Sequence, residues 1–193
     1  MAPPEQSHLI LGGARSGKSR HAVALARSTG RAAGFLATAR PDRDMRERIE
    51  RHRAERPAGW VTVEEPIDVV AACRRLRRHA EVIIVDCLTV WISNLLAEGA
   101  TDAAALGAAD GLAALIGERL ASLVIVTNEV GQGVHPATAI GIRFRDVLGE
   151  VNQRVAAAAD RVTLMVAGLA VDLKRPAPGA GAEQPHGRPS EAP

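Results

Sequence analysis

The sequence predicts one α/β domain in which a mainly parallel sheet is covered by helices on both faces. Three observations carry that expectation. Short apolar runs alternate with longer amphipathic stretches along the chain. Two of the runs, VIIV and LVIV, are apolar at every position, as a strand buried on both faces must be. The 193 residues, 47% hydrophobic and 24% charged, suit a single domain with a full-sized core.

In chain order, residues 1–7 (MAPPEQS) are polar and proline-bearing and are expected to form a flexible lead-in. HLIL (8–11) reads as the first strand and 18–28 as the first helix. GFLAT (34–38) is the second strand, followed by a helix over 43–55. WVTVE (60–64) and EVIIVD (81–86) are strands separated by a helix over 66–78. Helices over 88–97 and 103–120 precede SLVIVT (122–127). A long helix over 137–158 leads to VTLMVA (162–167), and GLAVDLK (168–174) adds a last strand or hairpin. The domain therefore spans 8–174. The tail 175–193 is rich in Pro, Gly and Ala without a large apolar side chain, so it cannot offset its ordering entropy and is expected to be disordered.

Composition removes several function classes. With two Trp, two Phe and no Tyr, the chain lacks aromatic faces for stacking bases, and a net charge of +2 supplies no basic field. No nucleic-acid partner is expected. Cys73 and Cys87 are too few for a disulfide scaffold and lack metal-ligand spacing. No apolar run approaches the roughly 20 residues of a membrane span, and the first residues lack signal character, so a cytoplasmic location without a membrane span is expected.

The strongest chemical signal is Gly12-Gly13-Ala14-Arg15-Ser16-Gly17-Lys18-Ser19, which fills every fixed position of G-x-x-x-x-G-K-[ST] between a strand and a helix. Glycines let the backbone turn so that successive N–H groups point at phosphate oxygens, and the helix adds its positive dipole end. Lys18 then neutralises β- and γ-phosphate charge, and Ser19 offers an oxygen to Mg²⁺. Asp86 closes the EVIIVD strand, so it emerges at the carboxyl edge of the sheet, placed to hold the Mg²⁺ water shell or to cap the next helix. Asn128 and Glu129 end the SLVIVT strand at the same edge and can bind ligand or simply cap their turn.

A nucleotide-binding domain is not yet an enzyme. In RDMRERIERHRAERPAGW, Met45, Ile49 and His52 share a helix face among Arg and Glu residues. A neutral imidazole there is a competent nucleophile toward phosphorus, or merely a surface residue. The other histidines (His8, His21, His79, His135 and His186) offer no better setting.

The segments GGARSGKSRHA, MRERIERHRAERPAGWVTVEEP, VDCLTVWISNLL and VTNEVGQGVHP…RFRDVLGEVNQRVAAAADRV, in this order, resemble the bifunctional adenosylcobinamide kinase / adenosylcobinamide-phosphate guanylyltransferase family of cobalamin biosynthesis, over about residues 8–174. The resemblance implies a RecA-like P-loop fold and a homotrimer. It implies phosphorylation of adenosylcobinamide with ATP or GTP, then transfer of GMP from GTP to adenosylcobinamide phosphate through a histidine–GMP intermediate, giving adenosylcobinamide-GDP and pyrophosphate. The nucleophile maps onto His52. Nucleotide-contacting positions map onto Gly12–Ser19, Ala37, Thr38, Ala39, Arg53, Ala54, Glu55, Arg56, Glu64 and Asp86. Asp86 stands where some members carry Glu. A P-loop small-molecule kinase with one activity, or a nucleotide-dependent switch or binding module, are the rival readings.

Overall fold

Alternation along each strand divides the core in two. Leu9 and Ile10 are neighbours in sequence yet pack in separate apolar clusters, as do Ile83 and Ile84, because successive strand side chains point to opposite faces. The computed structural model describes residues 6–40 and 59–175. Within them, the strands are β1 (Ser7–Gly12), β2 (Ala33–Ala37), β3 (Val61–Glu64), β4 (Val82–Asp86), β5 (Ser122–Val126), β6 (Arg161–Val166) and β7 (Leu169–Lys174). They form one sheet in the order β3-β2-β4-β5-β1-β6-β7. Every neighbouring pair is parallel except β6 and β7, which are antiparallel.

The helices are α1 (Lys18–Ser28), α2 (Val69–Leu76), α3 (Leu88–Ala97), α4 (Asp102–Gly117) and α5 (Ala139–Ala158). One face of the sheet, through Ile10, Phe35, Ile84 and Val124, is covered by α1, whose buried Ala22 and Ala26 let it lie close. The other face, through Leu9, Leu36, Ile83 and Ile125, packs against residues of α2, α3, α4 and α5, including the fully buried Trp91, Leu112 and Leu148. Both faces of the central strands are thus dry, which is why VIIV and LVIV carry no polar residue. Asp68, Thr101 and Thr138 accept N-cap hydrogen bonds at the starts of α2, α4 and α5.

Several element ends shift by one to three residues from the sequence reading, and both ends of the expected 8–174 span make contacts beyond it. Ser7, assigned to the lead-in, opens β1: it is buried, and its N–H and hydroxyl both donate to Asp160, at 2.8 Å each. Arg175, assigned to the tail, pairs with Asp172 at 3.0 Å. The segment 168–174 does form the last strand, but an edge strand: Leu169, Val171 and Leu173 remain 72%, 49% and 60% exposed. The expected helix over 43–55 lies outside the described residues, as do 1–5 and 176–193. No described helix is long and apolar enough to cross a membrane.

Candidate nucleotide site

Parallel strands deliver their carboxyl ends to one edge, and register decides which residues meet there. Ala37 on β2 stands opposite Glu64 on β3 and Asp86 on β4; Asp86 in turn stands opposite Val126 on β5, which pairs with Ile10 on β1. The GGARSGKS loop leaves β1 at this same edge. Five separate stretches of sequence therefore converge, as open α/β sheets require at a ligand-binding edge.

The loop's path depends on two glycines. Gly12 has φ +151°, and a Cβ there would lie 2.5 Å from the Met165 carbonyl oxygen on the neighbouring β6. Gly17 is the left-handed N-cap of α1 at φ +97°, and its carbonyl accepts from His21 N–H at 2.9 Å. Arg15, at the exposed tip, also has positive φ at 57°, a strained state for a residue with a Cβ. Gly13 and Ala14 are exposed beside it, while Ser16 and Lys18 are buried. Lys18 is folded across the loop, donating from Nζ to Gly13 O at 2.5 Å and Ser16 Oγ at 3.4 Å. The β6–β7 turn closes the structure from the other side, with Gly168 N–H donating to Ser16 O at 3.1 Å. The result is an ammonium group and the open first turn of a helix held at one place, an arrangement suited to a polyanion.

Asp86 is half-buried at the end of β4. It does not occupy the capping position of the next helix, since the N-cap of α3 is Cys87. Ser19 begins the second position of α1 and is half-buried. A hydroxyl and a carboxylate are the hard oxygen donors that Mg²⁺ takes, with phosphate oxygens and water filling its remaining positions. Among the described residues, no three His, Cys, Asp or Glu side chains converge on a metal site, so a dedicated all-protein cage is absent there.

Thr38, fully buried, donates its hydroxyl proton to Cys87 O at 2.8 Å and accepts from Cys87 N–H at 2.9 Å. Burial pushes the Cys87 thiol up to about 11 and the Cys73 thiol up to about 12, so neither is a thiolate nucleophile. Ala37 is buried and Ala39 half-buried on either side of Thr38, and Glu64 is exposed at the end of β3. Beyond β5, Glu129 N–H donates to Gly12 O at 3.2 Å, joining that turn to the start of the phosphate loop. The Glu129 carboxylate accepts from Gly131 N–H at 2.6 Å, which is the turn-capping role.

Three polar supports escaped the sequence reading. Asn152 accepts from Thr127 Oγ1 at 2.8 Å and donates to Asn128 O at 3.1 Å; Asn94 donates to Thr38 O at 2.8 Å and Pro66 O at 3.1 Å. Gly168 braces Ser16 as described. The available signal for the asparagines was an amide among apolar helix positions, as in VWISNLL and GEVNQRV. His52, Arg53, Ala54, Glu55 and Arg56 lie outside the described residues.

Comparison with known proteins gives a consistent picture. The family model described as Cobinamide kinase / cobinamide phosphate guanyltransferase matches residues 8–173. The chain is 44% identical over 168 residues to the bifunctional adenosylcobalamin biosynthesis protein CobP of Pseudomonas aeruginosa, covering 86% of this chain and 96% of that protein. It is 40% and 36% identical to the proteins named CobU of Salmonella typhimurium and Escherichia coli, again covering 86% of this chain and 98% of each of them. In fold it is similar to the KaiC-like protein PH0186 of Pyrococcus horikoshii, with a TM-score of 0.52 at 15% identity, covering 84% of this chain and 71% of that one.

Proposed function

The chain belongs to the cobinamide kinase / cobinamide phosphate guanyltransferase family, and from that premise we propose how its residues divide two successive reactions. The enzyme first phosphorylates the aminopropanol hydroxyl of adenosylcobinamide with ATP or GTP. It then transfers GMP from GTP to adenosylcobinamide phosphate, giving adenosylcobinamide-GDP and pyrophosphate.

In the first reaction the substrate hydroxyl oxygen attacks the γ-phosphorus and the nucleoside diphosphate leaves. The protein supplies positioning and charge rather than a nucleophile: loop N–H groups from Gly12 to Ser19, and Lys18, hold the phosphates as negative charge shifts toward the β–γ bridge. Mg²⁺, when bound between Ser19 and Asp86, would supply further charge neutralisation. In the second reaction a ring nitrogen of neutral His52 attacks the α-phosphorus of GTP. The bond to the bridging oxygen breaks, pyrophosphate departs, and a phosphorus–nitrogen bond holds GMP. An oxygen of adenosylcobinamide phosphate then attacks the same phosphorus and frees the imidazole. Ala37, Thr38, Ala39, Arg53, Ala54, Glu55, Arg56 and Glu64 contact the nucleotide in this reading.

The observation that carries the reading is the convergence at one sheet edge of the buried Lys18 with the half-buried Ser19 and Asp86 around a phosphate loop. Incubation with GTP labelled at the α-phosphate tests it: a GMP-sized covalent adduct forms on the native protein and not on His52→Ala. Adduct on His52→Ala refutes the nucleophile. The His52→Ala protein should still phosphorylate adenosylcobinamide.

The assembly in this reading is a homotrimer in the cytoplasm. The exposed apolar residues of the β6–β7 edge, Val166, Leu169, Val171 and Leu173, support self-association, and the free thiols of Cys73 and Cys87 suit a reducing compartment.

A further inference from the structure

The ladder between β2 and β3 carries a bond from Glu65 N–H to Ala37 O at 3.0 Å. Past it, the two chains are spanned by one side chain. Asn94, half-buried on α3, directs Nδ2 to Thr38 O at 2.8 Å and to Pro66 O at 3.1 Å. An amide NH₂ has two protons, so a single group satisfies both carbonyls and fixes their separation.

The exit of β2 is fastened to α3 at two further points. Thr38 is locked to Cys87, the N-cap of that helix, and Arg40 reaches Glu98 at its other end, at 2.6 Å. One turn before Asn94, Trp91 Nε1 donates to Ile67 O at 2.7 Å. Trp91 is almost wholly buried, so its loss would be a packing loss; Asn94 contributes mainly its two donors. The segments after β2 and β3 thus share one helix as anchor, and that helix begins directly after Asp86.

We propose that Asn94 is a positioning residue for guanylyl transfer, holding the backbone beside Ala37–Ala39 and Glu64 in the arrangement that orients GTP for attack at its α-phosphorus. The proposal rests on the two-reaction reading above. The phosphate loop is carried by β1 and α1, and two strands, β4 and β5, separate β1 from β2, so the Asn94 amide bears on the transfer step more than on γ-phosphate transfer.

The test uses the full-length protein and two variants. Asn94→Ala deletes the amide; Asn94→Asp keeps its shape and turns both donors into acceptors facing carbonyls. Each is assayed for covalent GMP formation at saturating GTP, for ATP-dependent phosphorylation of adenosylcobinamide, and for melting temperature. The expected result is a fall in the GMP-adduct rate constant of about 10- to 100-fold, as for a reactive group displaced by about 1 Å. That fall should exceed the loss in the kinase step by about tenfold or more, with the deficit in the rate constant rather than in KM for GTP. Adduct formation by either folded variant at the native rate overturns the proposal. So does an equal loss of both steps that tracks a lower melting temperature, which marks a purely structural role. Should one variant fail to fold, the other decides. Absence of any adduct on the native protein overturns the two-reaction reading itself, and this proposal with it.

Discussion

Glu64 on β3 and Asp86 on β4 stand in register with the same residue, Ala37 on the strand between them. Two carboxylates thus lie one on each side of β2 at the loaded edge, and they differ in setting: Asp86 is half-buried and Glu64 exposed. In the proposed two-reaction reading, the inner group serves the triphosphate and its Mg²⁺ and the outer one the rest of the nucleotide. Asp86→Asn is expected to lower both reactions by about 100-fold or more and to raise the Mg²⁺ concentration needed for half-maximal rate. Glu64→Gln should raise KM for GTP in adduct formation and leave the Mg²⁺ requirement unchanged. Mg²⁺ titrations of both variants check this, and an unchanged requirement in Asp86→Asn would contradict the assignment.

Gly12→Ala should disable the phosphate loop through contact with β6. The added methyl meets the Met165 carbonyl oxygen at 2.5 Å and Ser16 Oγ at 2.7 Å, and Ala tolerates φ +151° poorly. The expected outcome is a loss of about 1–3 kcal/mol in stability together with weakened nucleotide binding. Gly13→Ala, with nothing within 4 Å of its Cβ position, is the matched control. Equal nucleotide affinity in the two variants would refute the account.

His8 should make stability pH-dependent. Burial lowers its pKa first, and the charge of Arg161 and the neighbouring His21 lower it further against the opposing pull of Asp172, from 6.5 to about 4. Thr163 donates its hydroxyl proton to Asp172, so His8 Nε2–H is the donor to Thr163 Oγ1, at 2.7 Å. The unfolded chain binds a proton below 6.5 that the folded chain refuses until about 4, so stability falls as pH falls through that window. The loss is roughly 3 kcal/mol at most. Denaturant unfolding across that pH range should show the slope, and His8→Gln should flatten it.

Asp160 acts in a lower window. Burial alone would raise its pKa, but the bidentate Arg119 guanidinium and the Ser7 N–H and hydroxyl reverse that and hold it at about 2, against 3.8 normally. Its stabilisation is complete above about pH 4 and is lost as pH falls toward 2. Asp160→Asn should cost about 1–2 kcal/mol at neutral pH, discounted for the solvent exposure of Arg119. A melting temperature equal to that of the native chain would refute this.

Charging the β7 edge should disrupt the proposed self-association without touching the nucleotide. Val171→Asp in the Leu169–Leu173 row is expected to shift the protein toward monomer in sedimentation and to preserve the fold, because the position is exposed in the single chain. A sedimentation profile identical to that of the native chain would refute the proposed β7 interface.

Much of this architecture was legible in the sequence for physical reasons. An unbroken apolar run such as VIIV survives only between two dry faces, and the loop's glycines are required wherever backbone must approach phosphate. What was not legible depends on partners far along the chain. Ser7 looked like lead-in because its partner, Asp160, lies 153 residues away. Asn94 and Asn152 looked like ordinary helix positions because the carbonyls they hold belong to loops on other elements. The exposed row on β7 kept its strand pattern but not its burial, since it lies at the sheet's edge.

The backing of Gly12 and Ser16 by Met165 and Gly168 has a consequence for how the chain matures. The phosphate loop leaves the ribosome well before its wall, which is supplied by a hairpin about 150 residues downstream. Until β6 and β7 emerge, β1 is a bare edge and the cradle has no back. Nascent chains stopped before Arg161 should therefore gain no protease protection from ATP, so nucleotide serves as a ligand of the finished domain and not as a guide to its early folding.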